Sequence, residues 1–510
     1  MLDGLRPDRA AEPSVLVRVP QSAMIRFAAR SGAHNLRKGK STVNVILMIF
    51  DSLRKDCVGV YGSPPWGKIQ TPHFDAFAGE SLVMRRAFPE SLPTLPARRA
   101  LYTGRRVYPF DDGDFRLKGD FLGAPGWGPI PEAQPTLAEM LSEAGYRTGL
   151  ISDVYHMFKP SKNFWRGFDQ WTFLRGQEMD PMRSGPRLTQ AEIDHWLPRE
   201  MQTEQGVAFI QQCLMNMHDR TKEEDYFAPQ VLRAAAVWLE QNRDADKLFL
   251  VVESFDPHEP WLVPAHYRQM YLRGDGQEQV KSDYRDVSKI GAEFLRRTQA
   301  NYSGAVTMCD RWFGHFMESM RVLGLLDDTL VIFTADHGHT IGEGNYLGKR
   351  GYPSAREVYD VPLLIRYPKA QHAGMTSDIF VQHHDVTATI LETVDVDPPA
   401  EMDGQAFLES SVKGAPGPRE HVTVGWGSTP TVVTDRWWFN CKVNGTGALL
   451  YDLRAADPFA RNIAAEHPDV TDRLFAQAKE DAGGSFPDWL VELAERQEDA
   501  PGCSDLAART

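Results

Sequence analysis

The stretch VNVILMIFD, residues 43–51, constrains the fold more than any other part of the chain. It is an almost unbroken apolar run that ends on a carboxylate. A strand with one wet face would alternate apolar and polar residues. This one does not, so both of its faces must be covered, as in a parallel sheet flanked by helices. LFLVVES (248–254) and TLVIFTAD (329–336) are runs of the same kind, and YRTGLIS (146–152) and VPLLIRY (361–367) read as further strands. Between them the pattern turns helical. Thr71 and Pro72 open a helix over TPHFDAFAGES, and Thr136 and Glu139 have capping-box spacing before a stop at Gly145. APQVLRAAAVWLEQN and the segment 291–323 are also helical in pattern. Alternating strands and helices give an α/β class with a large, mostly parallel sheet.

With 510 residues, 42% of them hydrophobic, the chain exceeds one average domain. Residues 1–42 read as an N-terminal extension and 43–371 as the main α/β domain. Residues 372–510 read as a smaller C-terminal α+β subdomain, with antiparallel hairpins in 430–453 turning at Asn444-Gly445. The segment 156–225 reads as long and irregular, a lid or a substrate-side insertion. The five cysteines, Cys57, Cys213, Cys309, Cys441 and Cys503, are scattered and form no C-x-x-C, which points to neither a disulfide framework nor a zinc cage. The formal charge of −13 argues against nucleic-acid polymers and anionic membranes as partners, but it leaves room for a local cationic pocket. No apolar leader precedes residue 43 and no run of 18 apolar residues occurs, so the expectation is a cytoplasmic protein without a membrane partner.

Open parallel sheets bind ligands beyond the carboxyl ends of their strands. Asp51, His258 and Asp336-His337 all fall there. Carboxylate oxygens and an imidazole nitrogen together suit one divalent cation, whether Mn, Mg, Ca or Zn. A strand-end carboxylate can also be a simple cap, and a histidine in a turn a structural one. PTLPARRALYTGRR (93–106) reads as a turn, a short helix and a glycine stop. Thr94 stands where a helix N-terminus offers N–H groups to an anion, or is itself only the helix cap. Arg98, one turn on, can reach back to that loop or lie in solvent. Lys349, in the glycine-rich GEGNYLGKRGY, has the same two readings.

Taken together these pieces resemble the sulfatase branch of the alkaline-phosphatase superfamily. Thr94-Leu95-Pro96-Ala97-Arg98 followed by Thr103-Gly104-Arg105 matches the family's Cys/Ser-x-Pro-x-Arg signature and its Thr-Gly-Arg. GFDQW (167–171), GLLDDTLVIFTADHG (324–338), GKRGYPSAREVYDVPLLIRYP, HHDVTATIL (383–391), MDGQAF (402–407) and LYDLRAADPFARNIA (450–464) resemble further family blocks in the same order. The resemblance implies an α/β/α sandwich and an ester hydrolase. It implies Asp51, Asp336 and His337 as metal ligands with the hydroxyl of Thr94 completing the shell, and Arg98 as support for the nucleophile. His258 and Lys349 match positions that hold the transferred anionic group and assist the leaving oxygen. His156 matches a substrate-binding histidine, although Val154 stands where a lysine accompanies it.

Two departures bear on the chemistry. Ser52 replaces a second acidic ligand, and Thr94 replaces the Cys or Ser that is oxidised to formylglycine; Ser91 does not substitute, because Leu95 stands where its arginine would be needed. A threonine can attack phosphorus directly, whereas a sulfo-threonine lacks the aldehyde exit of formylglycine. The first expectation is therefore a metal-dependent phosphodiester or phosphonate monoester hydrolase with Thr94 as nucleophile and a small anionic ester as substrate. The alternatives are a sulfuric ester hydrolase, a non-catalytic metal- or anion-binding relative, and a phosphotransferase.

Overall fold

The first apolar run forms strand β1, Asn44–Phe50, buried at every residue. The computed structural model describes residues 43–110, 124–159, 162–273 and 278–496, and β1 lies inside an eight-stranded sheet of it. The other strands are β2 (Leu82–Phe88), β3 (Arg147–Ser152), β4 (Gln170–Phe173), β5 (Leu248–Ser254), β6 (Thr329–Ala335), β7 (Val361–Arg366) and β8 (Thr376–Gln382). Their spatial order is β8-β2-β7-β6-β1-β5-β3-β4. β1 is parallel to β5 and β6, β3 is parallel to β5 and β4, and β8 is parallel to β2. β7 runs the other way, antiparallel to β6 and β2. The large, mostly parallel sheet is thus present, and the other strands deliver their carboxyl ends to one edge. The expected extension, residues 1–42, lies outside the described residues.

Register assigns the helices to the two faces. Ile46 pairs with Leu250, which pairs with Gly149, so Ile46, Phe50 and Gly149 share one face. There Phe50 and Phe333 meet Phe74 of the helix Pro72–Gly79 and Phe313 of the long helix Ala292–Val322. Trp238, on the helix Phe227–Asn242, covers Gly149 so closely that a Cβ there would stand 2.4 Å from the indole. The opposite face carries Ile49 and its partner Glu253. The helix Thr94–Thr103 packs there, with the helix His383–Thr393 against it through Thr387 Oγ1, which donates to Leu101 O. Two helical layers around one sheet bear out the fold class.

Local details depart from the sequence reading in two places. Thr71 does precede the first helix, but its hydroxyl accepts from Gly59 N–H at 3.1 Å and caps nothing in the helix. The helix start is capped across the layer by Asp310, whose Oδ1 accepts from Phe74 N–H at 2.7 Å. The segment 156–225 is not irregular throughout. It contains β4 and the helices Gln190–Trp196 and Glu204–Asn216, each opened by a threonine side chain, Thr189 and Thr203, that accepts from a first-turn N–H.

A second sheet is built from the antiparallel strands His421–Trp426, Thr429–Thr434, Trp437–Asn440 and Leu449–Asp452. Gly445 takes φ +82° in the turn between the last two, as the Asn-Gly pair anticipates. The short strand Ser91–Leu92 joins this sheet, parallel to His421–Trp426, just before Thr94. The second sheet therefore anchors the backbone that leads into the Thr94–Arg98 segment.

Two outcomes follow from this packing. Gly149→Ala overpacks the sheet against Trp238 and lowers stability by about 1–3 kcal/mol in urea unfolding. Gly291→Ala, where a Cβ meets nothing within 4 Å, shifts the midpoint far less. Burial pushes the Asp310 carboxyl up to about 7. The folded state then keeps a proton that the unfolded chain releases near about pH 4, so this group makes stability fall as pH rises from there to about 7. Asp310→Asn, which keeps an acceptor for Phe74 N–H, removes that part of the slope when unfolding midpoints are compared across this range.

Candidate active site

Asp51 leaves the end of β1 and Asp336 and His337 leave the end of β6, its neighbour, and all three are fully buried. Their ligand atoms lie within 4.8 Å of one another, the one such group of three among the described residues. His337 Nδ1 lies 2.9 Å from Gly338 O, so it donates there and turns the Nε2 lone pair toward the cluster. Burial and the nearby Lys349 hold this imidazole well below its ordinary pKa, which keeps it in the neutral, ligating form. Thr94, 3% exposed, places Oγ1 3.5 Å from His337 Nε2.

The local fold explains that placement. Thr94 is the first helical residue, with Pro93 before it in the cap position and Gly104 closing the helix at φ +66°. The cap reading of Thr94 does not hold: its hydroxyl turns to His337 rather than to the helix N–H groups. Arg98 is not in solvent either. It is completely buried, with Nε 2.9 Å from Glu253 Oε2, Nη1 3.1 Å from Asp51 Oδ2, and an ion pair to Asp336. Its Nη1 also donates to Thr94 O at 3.2 Å. Tyr102, a further turn along, donates to Glu253 Oε1 at 3.1 Å. One helix face thus carries the nucleophile-position hydroxyl, the guanidinium and a phenol into the same core.

Ser52, at the acidic position of the family pattern, adopts φ +60°. Its N–H donates to Asp336 Oδ1 at 3.1 Å and its hydroxyl to Asp51 Oδ1 at 2.8 Å. It orients both carboxylates instead of adding a charge. Lys349, 5% exposed, lies with Nζ 3.4 Å from Ser52 Oγ and 3.3 Å from His337 Nε2.

His258 follows β5 and is also buried. Its Nδ1 donates to Glu259 O at 3.0 Å and faces Glu178 Oε1 at 3.4 Å and Glu259 Oε2 at 3.5 Å. The ring stacks on Phe255 with centroids 4.1 Å apart. His156 follows β3, and its Nε2 lies 3.0 Å from Glu178 Oε2. Glu178 therefore bridges the two histidines; against burial, which raises it, the electrostatic pull of His258 and the hydrogen bond from His156 hold its carboxyl below the ordinary range. Beyond them, Glu259 pairs with Lys281 at 2.7 Å and His339 at 3.3 Å.

All eight residues singled out from the sequence lie along this edge. Glu253, Glu178, Glu259, Lys281 and His339 were not read from the sequence. Glu253 left a signal, since it is the one acid inside the run LFLVVES, which is buried at every residue. Glu178 left none.

The donor set fits one divalent cation. Asp51 Oδ2 is buried and makes no hydrogen bond, although Arg98 Nη1 faces it at 3.1 Å, and two carboxylates, an imidazole and a hydroxyl are ligands of the right type.

Comparison with known proteins gives the same picture. The family model described as Sulfatase matches residues 43–396. The multifunctional alkaline phosphatase superfamily protein PehA of Trinickia caryophylli is 26% identical over 421 residues, covering 73% of this chain and 78% of PehA. An N-acetylglucosamine-6-O-sulfatase of Bacteroides thetaiotaomicron is 23% identical over 454 residues, covering 77% of this chain and 76% of the relative. Among solved structures, the phosphonate monoester hydrolase SpPMH of Silicibacter pomeroyi superposes with a TM-score of 0.67 at 18% identity, covering 88% of this chain and 96% of that one. No helix among the described residues is long and apolar enough to cross a membrane.

Removing one ligand tests the cation site. Asp336→Asn weakens binding of Mn or Zn by at least about 10-fold, the loss that damage to an outer partner alone brings about. Equilibrium dialysis with metal analysis measures it.

Proposed function

The chain belongs to the sulfatase family, and we propose that this ester hydrolase of the alkaline-phosphatase superfamily cleaves phosphodiesters or phosphonate monoesters, with the unmodified hydroxyl of Thr94 as nucleophile. The observation that carries the reading is the position of that hydroxyl, 3.5 Å from His337 Nε2 and against the Asp51–Asp336–His337 cluster. Threonine offers no route to formylglycine, so release of the acid must proceed by attack of water at the central atom. That is ordinary chemistry for a phosphoryl or phosphonyl threonine. The phosphonate monoester hydrolase named above lends support at the level of the fold.

Asp51, Asp336, His337 and Thr94 would hold one divalent cation, as members of this family use. When bound, it lowers the pKa of the Thr94 hydroxyl and polarises the substrate's oxygens. Arg98 fixes the helix turn that carries Thr94 and neutralises the carboxylates beside it. Lys349 and the first-turn N–H groups of the Thr94–Thr103 helix stabilise charge on the transferred group. Thr94 gives its hydroxyl proton to solvent before attack and regains it on release; its Oγ1 forms the bond to phosphorus in line with the leaving oxygen, whose bond breaks. His258, held by Glu259 O and faced by Glu178 and Glu259, gives this oxygen its proton. The same ring, now neutral, takes a proton from the water that releases Thr94. A second reading, sulfate-ester hydrolysis, is favoured by the sulfatase relatives and needs sulfo-threonine to be cleaved at sulfur.

Parallel assays separate the two. The p-nitrophenyl ester of phenylphosphonic acid and bis-p-nitrophenyl phosphate are expected to exceed p-nitrophenyl sulfate by about 100-fold or more in kcat/KM. Thr94→Ala is expected to lower kcat by about 10³-fold or more. Mass spectrometry of the quenched enzyme is expected to find a phenylphosphonyl group on Thr94. Sulfate turnover above that of the phosphorus esters, or turnover surviving in Thr94→Ala, overturns the proposal.

A further inference from the structure

The order of strands along the functional edge works as a ruler. From β6 and β1, which carry Asp336, His337 and Asp51, the next strand is β5, followed by His258, then β3, followed by His156, then β4 at the rim. At about 4.8 Å per strand, the end of β3 stands about 10 Å from that of β1, and β4 about 14 Å. That is the reach of a substituent on a substrate whose reacting atom lies at the β1–β6 end.

A cavity of about 580 Å3 lies there, lined by residues of the turn after β3 and by β4. Its wall is a run of aromatic rings. Phe158 stacks on Phe173 with centroids 4.4 Å apart and on Trp171 at 5.5 Å, and Trp171 lies 6.4 Å from Trp165. Alternation along β4 puts Trp171 and Phe173 on one side, which is why both reach Phe158. Trp165 and Trp171 are 43% and 48% exposed. An indole left half in water beside a cavity is a stacking surface with one face open. Lys159 and Arg175 stand in the same lining. The cavity is also tied to the reacting end: the turn Tyr155–Phe158 carries His156, and Glu178 joins His156 to His258.

We infer that this cavity receives the aromatic ring of an aryl-bearing leaving alcohol, so that Trp171 and Trp165 select aryl esters over small alkyl esters. The inference rests on the proposed hydrolysis for its order of sites, with the transferred group at β1 and β6, the leaving oxygen at His258 and the ring beyond His156.

The test uses the full chain loaded with its divalent metal and the benzyl and methyl esters of one phosphonic acid, whose leaving alcohols have nearly equal acidity. Trp171→Ala is expected to lower kcat/KM about 10-fold for the benzyl ester and to leave the methyl ester unchanged, with Trp171→Phe restoring most of the loss. Saturation-transfer NMR is expected to detect benzyl alcohol on the wild type and not on Trp171→Ala. Equal losses on both esters, or no loss on the benzyl ester, overturns the inference. If neither ester is turned over, the hydrolytic reading fails, while the NMR arm still decides the cavity. Benzyl alcohol binding that ignores both tryptophans, absent binding, or binding of methyl β-glucopyranoside in its place overturns the aromatic assignment.

Discussion

One guanidinium organises the centre of this molecule. Arg98 comes from a helix on one face of the sheet and meets Asp51, Glu253 and Asp336 from three adjacent strands, β1, β5 and β6, without exposure to water. Charges buried in this way are costly unless each is paired, so the helix can dock in one place only. That docking fixes Thr94 one turn earlier and sets its hydroxyl over the β1–β6 end. Burial pushes Glu253 up to about 7, with Arg98 opposing it. The placement of Thr94 and the docking of its helix therefore rest on the same contacts, and neither can be altered alone.

The departures from the family pattern become intelligible around this contact. Ser52 lacks the charge of the acid it replaces, but its backbone and hydroxyl hold both remaining carboxylates. Thr94 lacks the oxidation route of Cys or Ser, yet its added methyl group is accommodated in a helix where all ten residues are buried. The chain keeps the scaffold of the sulfatase family around a threonine at the signature position.

Much of this was legible in the sequence because each element had a local cause. The buried strands declared themselves by unbroken apolar runs, and Asp51, Asp336 and His337 stood at their ends. The roles that depend on distant partners were not legible. Thr71 has the composition and position of a cap, but Gly59 takes its hydroxyl, and no local rule points to Asp310 as the replacement. Arg98 and Lys349 look like solvated cations until the fold brings to them Glu253 and Asp336, 155 and 238 residues from Arg98, and Ser52, 297 residues from Lys349. Glu178 belongs to a segment whose two helices were announced by Thr189 and Thr203, signals weaker than the surrounding loop composition.

The complete burial of the Thr94–Thr103 helix has a kinetic side. A helix enclosed on every face, closed at Gly104 and stitched to the second sheet through Ser91–Leu92 has no end from which to fray. The Thr94 hydroxyl is thereby held on backbone fixed at both ends, so its place over the β1–β6 end does not depend on a loop.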